Sequence, residues 1–284
     1  MDKVCKFFLS IILFMELLSG CSMEGGGEAK ENSIAFDSLK VEKTAHLLDK
    51  EENPNCRLTL AFAFPSDYSS EETLQKLQQF YIQSFFGERY KEMTPQDALA
   101  HYAADYIAEY KTLETDFAKD LEHVTKDMPM GNWYSYYEMA NNTLEYNAKG
   151  IVSFQVAFEN YTGGVHPSHA YTNHTFSLEL GKEIVEDDIF MDGFQKELAK
   201  IIVDHLVQQN KLKEPIELEN IGFFSVDEIV PNENFLIKED GLLYTFNEYE
   251  IAAYALGRIN VFLPYGKIRH LFREGNPITS LYAN

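Results

Sequence analysis

The sequence predicts an α+β fold, built as two lobes of antiparallel sheet with helices packed on one face. Three observations carry that expectation. Residues 34–64 and much of 133–181 alternate apolar with polar side chains, the period of a half-buried strand. Residues 69–121 and 193–209 repeat apolar side chains at three and four, the period of an amphipathic helix. The two kinds of run are segregated rather than strictly alternating, which favours antiparallel sheet over a doubly wound parallel one. With 45% hydrophobic and 14% aromatic residues, the 284-residue chain can bury a core, so it is not a disordered one.

The elements follow in order. Ile34, Phe36, Leu39 and Val41 alternate, Glu51 to Asn55 form a turn cluster, and Leu58, Leu60, Phe62 and Phe64 alternate again, predicting a hairpin. Ser69 or Ser70 caps a helix whose first turn carries Glu71 and Glu72 and which Gly87 stops. Thr94-Pro95 opens a second helix, and its stripe from Leu99 to Leu121 keeps the period for nearly thirty residues. That stripe is tyrosine-rich, and a wide core face with hydroxyls at its rim explains it. Strands follow from Trp133 to Gly181, with turns expected at Asn141-Asn142 and at Ala148-Lys149-Gly150. A third helix covers Gly193 to Gln209. Phe235–Ile237 and Leu242–Phe246 flank Asp240-Gly241 as a hairpin. Ile251 to Leu256 forms a helical turn, Ile259 to Leu263 a strand, and Tyr265 to Phe272 a short helix.

Composition narrows the function. Lys and Arg number 24 and Asp and Glu 45, so 24 − 45 = −21. That charge argues against nucleic acid and against anionic lipid surfaces. Three cysteines exclude a disulfide framework. Cys56 reads as a buried small hydrophobe.

At the N-terminus, Lys3 and Lys6 precede an apolar stretch from Phe7 to Leu18, too short to span a bilayer at the ~20 residues that needs. Leu18-Ser19-Gly20-Cys21 resembles the lipobox of bacterial lipoproteins. The resemblance implies loss of residues 1–20 as a signal peptide and lipidation of Cys21, an anchor far firmer than one acyl chain. Residues 21–33, glycine-rich and nearly free of apolar side chains, read as a flexible tether. Ser22 follows the cysteine, which favours outer-membrane sorting in a Gram-negative host. The expected localisation is therefore exported, lipid-anchored and outer-membrane.

Three further stretches, in order, carry a second resemblance: Tyr161-Thr162-Gly163-Gly164-Val165-His166-Pro167; Phe176 to Glu183 with Asp187-Asp188-Ile189-Phe190; and Phe235 to Tyr265. Together they resemble the paired extracytoplasmic domains of unknown function shared by the anti-sigma factor RsiV and the peptidoglycan deacetylase PdaC. The resemblance covers roughly residues 40–275. It implies an N-terminal PdaC-like lobe over 34–165 and a C-terminal RsiV-like lobe over 166–284. It also implies a lysozyme-like protein as one possible ligand, since the RsiV domain senses lysozyme. No Thr-Phe-Asp-Asp-Gly-Pro-like deacetylase motif occurs in the sequence, so neither deacetylation nor signalling is carried over.

The sharpest local feature is the loop Gly163, Gly164 and His166, followed by Tyr171. Paired glycines allow positive φ and close backbone approach. The loop either presents His166 to a ligand or simply connects two strands. His166, His169 and His174 fall close together, but residues five apart on a strand face opposite ways, which weakens a shared metal site. No nucleophile elbow, phosphate loop or dinucleotide fingerprint occurs. The sequence thus supports a non-catalytic, lipid-anchored module that binds a protein or cell-wall ligand, with no cofactor, no metal and no assigned catalytic residue. An envelope glycan hydrolase or deacetylase-type enzyme, metal-assisted through His166, is the alternative. The expected partners are the membrane, through the anchor, and either a basic protein such as lysozyme or the cell-wall polymer peptidoglycan.

Overall fold

The computed structural model describes residues 31–124 and 133–282. Cys21, the signal segment and most of the tether lie outside the described residues. Among the described residues, no helix is long and apolar enough to cross a membrane.

The chain is α+β, as its periodicities predict. Strands β1 (Ala35–His46) and β2 (Asn55–Asp67) form the expected antiparallel hairpin. Helix α1 (Glu71–Phe86) starts where the Ser70 side chain accepts the Thr73 amide, and ends at Gly87. Helix α2 (Pro95–Lys111) is capped by Thr94. The long second helix is interrupted at Thr112-Leu113, and α3 (Glu114–Leu121) follows. The Thr112 hydroxyl donates back to the Glu109 carbonyl at 2.6 Å, an interaction that bends helices. The Lys111 ammonium is held by the His46 carbonyl and by Asp49 and Glu114, and Phe117 drops into a small core with Leu47, Cys56 and Tyr110.

Strands β3 (Tyr136–Ala148), β4 (Ile151–Tyr161), β5 (Ser168–Ser177) and β6 (Lys182–Glu183) complete a six-stranded sheet in chain order. All its pairings are antiparallel except β2 with β3, which run parallel from Cys56↔Tyr136 to Ala61↔Asn141. The crossover between them carries α1–α3. Asn141-Asn142 is not a turn. It lies inside β3, because Asn142 replaces the ladder where the parallel pairing ends. Its amide oxygen accepts the Ala63 N–H and its nitrogen donates to the Ala63 carbonyl, both at 2.8 Å.

The sheet also runs past the boundary expected at 165/166. Strand β5 pairs with β4 from Ile151↔Ser177 to Asn160↔Ser168, and β6 extends the sheet to Glu183. After it come α4 (Glu186–Ile189), α5 (Gln195–Gln209), β7 (Phe235–Ile237), β8 (Gly241–Phe246), β9 (Ile259–Pro264), α6 (Tyr265–Ile268) and α7 (Thr279–Tyr282). Strands β7–β9 form a second, antiparallel sheet. Gly241 serves a different purpose from the one its Asp-Gly pair suggests. Its φ is not positive, and it opens β8, where a Cβ would collide with the Leu263 carbonyl and the Phe262 ring.

Two main cores result. Leu58, Leu60, Phe62, Phe154 and Phe176 meet α1 through Leu77, Tyr81, Ile82 and Phe86 on one face of the first sheet. Leu198, Ile202 and Leu206 of α5 pack on Ile237, Leu242, Phe246, Val261 and Leu263. The second unit lies along β5 on the first sheet's other face: the Ile237 N–H donates to Thr175, Asn173 donates to the Thr245 hydroxyl at 2.8 Å, and the Tyr171 N–H donates to Asn247 at 2.7 Å. At the N-terminus, Asn32 clamps the chain to the β3–β4 turn. It donates to Asn147 Oδ1 and to the Ile151 carbonyl and accepts the Gly150 N–H, at 2.8–3.0 Å.

Candidate functional site

Side chains alternate across a strand, so the residues between those of the helix-covered core face the other way. On the part of that face that the second unit leaves open, the first sheet carries Arg57 on β2, Tyr137 on β3, and Glu159 and Tyr161 on β4. Tyr137 and Tyr161 are direct partners in the antiparallel register, with ring centroids 6.0 Å apart and planes 23° from parallel. Both hydroxyls are fixed. Tyr137 donates to Glu159 Oε1 at 2.6 Å, and Tyr161 donates to the Gly164 carbonyl at 2.8 Å. The bond to Glu159, with burial adding to it, pushes the Tyr137 phenol up to about 12. Beside the two rings lies a cleft of about 400 Å³ that also takes in Thr44, Asn55, Arg57 and Ser135.

The loop after β4 closes one side. Gly163 has φ +86°, and a Cβ there would stand 2.6 Å from the Trp133 carbonyl oxygen. Gly164 has no positive φ. His166 stacks on Tyr254 with centroids 3.9 Å apart, and the Tyr249 hydroxyl lies 3.4 Å from its Nε2. The Tyr254 hydroxyl donates to the Pro167 carbonyl at 3.1 Å. His169 lies between two carboxylates, Glu248 at 3.0 Å and Glu159 at 3.7 Å. Trp133, the chain's single tryptophan, is 68% exposed, and Tyr249 is 57% exposed. The result is an aromatic corner between an open sheet face and the flank of the second unit.

The structure therefore brings Gly163, Gly164 and His166 together with Tyr249 and Tyr254. Tyr171 sits further along β5, where the Arg258 guanidinium covers its ring at 3.9 Å while donating to Gln155. The three histidines do not converge. His174 is on the helix-facing side, stacked on Phe154 and bonded to Glu183 at 3.1 Å. Among the described residues, no group of three or more His, Cys, Asp or Glu side chains could hold a metal ion. Arg57, Trp133, Tyr137, Tyr249, Tyr254 and Arg258 escaped the sequence reading, because only the fold makes them neighbours. The one local signal was Tyr161-Thr162-Gly163-Gly164.

Known families match the chain in two regions. A model of the family described as "Deacetylase PdaC" matches residues 49–169, and one described as "Protein of unknown function (DUF3298)" matches residues 187–266. The chain pairs a PdaC-like region with a DUF3298-like region. A crystal structure of a DUF3298 family member from Bacteroides fragilis is 29% identical, covers 90% of this chain and 100% of its own, and superposes with a TM-score of 0.84. A DUF3298 family protein from Pseudomonas aeruginosa shares the fold at 13% identity and a TM-score of 0.58, over 87% of this chain and 97% of its own. No curated protein sequence matches. The candidate site draws on both matched regions. Arg57, Tyr137 and Tyr161 come from the PdaC-like region; Glu248, Tyr249, Tyr254 and Arg258 come from the DUF3298-like region.

Proposed function

We propose that this protein is a non-catalytic binding module of the cell envelope, exported and held at the outer membrane through lipid on Cys21. The observation that carries the binding reading is the fixed aromatic corner. Tyr137, Tyr161 and Tyr254 each spend their hydroxyl on a partner within the chain, so their rings are held in place with little further ordering to do when a ligand arrives. Rigid aromatic side chains of this kind dominate binding surfaces. The anchor rests on Leu18-Ser19-Gly20-Cys21 and on the apolar stretch before it. The ligand is a protein or a cell-wall component.

A metal-assisted glycan hydrolase or deacetylase working through His166 has less support, because both ring nitrogens face partners within the chain, Nδ1 the Pro167 carbonyl at 3.1 Å and Nε2 the Tyr249 hydroxyl at 3.4 Å. The test is capture from an envelope extract by the immobilised chain, against a Tyr254→Ala variant of unchanged melting temperature. Retention of a discrete component by the wild type and its loss in the variant is expected. Equal retention by both overturns the assignment of the corner.

A further inference from the structure

We infer that the cleft beside Tyr137 and Tyr161 is a subsite for an uncharged pyranose chain. The inference rests on the binding-module reading and names the class of ligand. Four features lead to it.

The backbone at the floor of the cleft is already spent. Strands β2, β3 and β4 are interior strands, each with a neighbour on both sides, so a peptide cannot add to them as a further strand; β1, which brings Thr44, is the edge. Recognition at the floor therefore uses side chains.

Those side chains form two kinds of surface. The Tyr137 and Tyr161 rings, stacked 23° from parallel and held by their hydroxyl bonds, give an apolar platform of fixed orientation. Asn55, Thr44, Ser135 and the Arg57 fork supply donors and acceptors beside it. A pyranose ring has matching surfaces: a face of C–H groups that packs on an aromatic ring, and an equator of hydroxyls or amides that hydrogen-bonds. The cleft's volume of about 400 Å³ is in the range of small-ligand clefts, ~300–1,000 Å³.

Charge selects an uncharged member of that class. The chain carries −21, and Glu159 stands beside the platform, so a polyanion is repelled both at long range and locally. Arg57 makes no ion pair among the described residues, and its planar fork donates equally well to neutral carbonyl and hydroxyl oxygens.

Finally, the aromatic surface extends beyond one sugar. Exposed Trp133 adjoins Gly163, and His166, Tyr254 and Tyr249 continue the rings onto the second unit. A chain, rather than a single sugar, matches that length.

The single tryptophan provides the readout. The full chain is titrated, following Trp133 emission and heat of binding, with a β-1,4-linked glucose tetramer, its N-acetylated counterpart and a tetragalacturonate. At least one neutral tetramer is expected to bind, and the acidic one to bind more weakly. Which neutral tetramer binds tells hydroxyl from acetamido recognition. Tyr161→Ala and Arg57→Ala are each expected to weaken binding roughly tenfold or more, and Tyr161→Phe, which keeps the ring, by about threefold at most. Arg57 is exposed, so its variant keeps the test open if Tyr161→Ala fails to fold. No binding of either neutral tetramer at about 1 mM, preference for tetragalacturonate, or wild-type affinity in Arg57→Ala overturns the inference. If the tetramers fail while envelope capture still depends on Tyr254, only the sugar assignment falls. If capture fails too, the binding reading falls with it.

Discussion

Glu186 and Glu233 each cap the other's backbone. The Glu186 N–H donates to Glu233 Oε2 at 2.8 Å, and the Glu233 N–H donates to Glu186 Oε1 at 3.1 Å. The exchange ties α4, just after the first sheet, to the segment leading into β7. Glu186 is 3% exposed, Glu233 sits at φ +59°, and the buried Tyr244 hydroxyl lies beside the Glu186 carboxyl without a well-aligned bond. Burial first, and the Glu233 charge second, push Glu186 up from 4.5 to about 7.

Stability should therefore fall as pH rises through neutrality. A carboxyl whose folded pKa is raised contributes its stability below the unfolded value, here 4.5, and loses it as pH climbs through about 7. The loss is on the order of 3 kcal/mol. Glu138, raised by burial in spite of the hydrogen bond it accepts from Tyr102, contributes with the same sign. Glu186→Gln, which keeps the acceptor for the Glu233 N–H, should flatten the fall in melting temperature between pH 5 and pH 8. An unchanged slope would show that Glu186 is not the titrating group.

Asn142→Ala should destabilise the chain by roughly 2–4 kcal/mol, since it leaves the Ala63 N–H and carbonyl unpaired at the end of the parallel seam. Urea unfolding measures this. A loss under 1 kcal/mol would mean that water takes over both bonds.

Gly163→Ala should cost about 1–3 kcal/mol, because the site needs φ +86° and a Cβ meets the Trp133 carbonyl. Gly164→Ala, next to it in ordinary backbone conformation, should cost less. Reversal of that order in thermal unfolding would contradict the loop geometry.

Cys21→Ala should abolish incorporation of labelled palmitate and leave the protein soluble or unprocessed. A variant that still takes up label and still sediments with membranes would remove the lipobox reading.

The −21 charge predicts that a protein partner is basic and that its association rate falls with ionic strength. Surface plasmon resonance against lysozyme at two salt concentrations measures this. No binding at micromolar concentration in low salt removes lysozyme, and a salt-independent association rate removes the steering.

The fold was largely legible in the sequence. Period-two runs located β1, β2, β4 and β5, and the caps Ser70 and Thr94 located two helix starts. The misreadings have physical causes. Asn142 looks like a turn residue because asparagine usually bonds its local backbone; here it bonds a strand 79 residues away. The helical stripe through residue 121 gave no sign of the interruption at Thr112-Leu113, because the apolar period runs straight through it. The parallel β2–β3 seam leaves no mark in either strand's pattern. The site was nearly invisible for the same reason. Arg57 and Tyr254 lie almost 200 positions apart in sequence, and each alone is an ordinary surface residue.

The Asn32 clamp sets the polarity of the whole body. The chain enters at the Ala148–Gly150 turn, one end of the β3–β4 hairpin, while Tyr137 and Tyr161 stand at the other. At ~3.3 Å per strand residue, that hairpin places them roughly 35 Å from the point of entry. The β3–β4 hairpin thus acts as a mast within the body, with its foot at the Asn32 clamp and its aromatic tip at the far end.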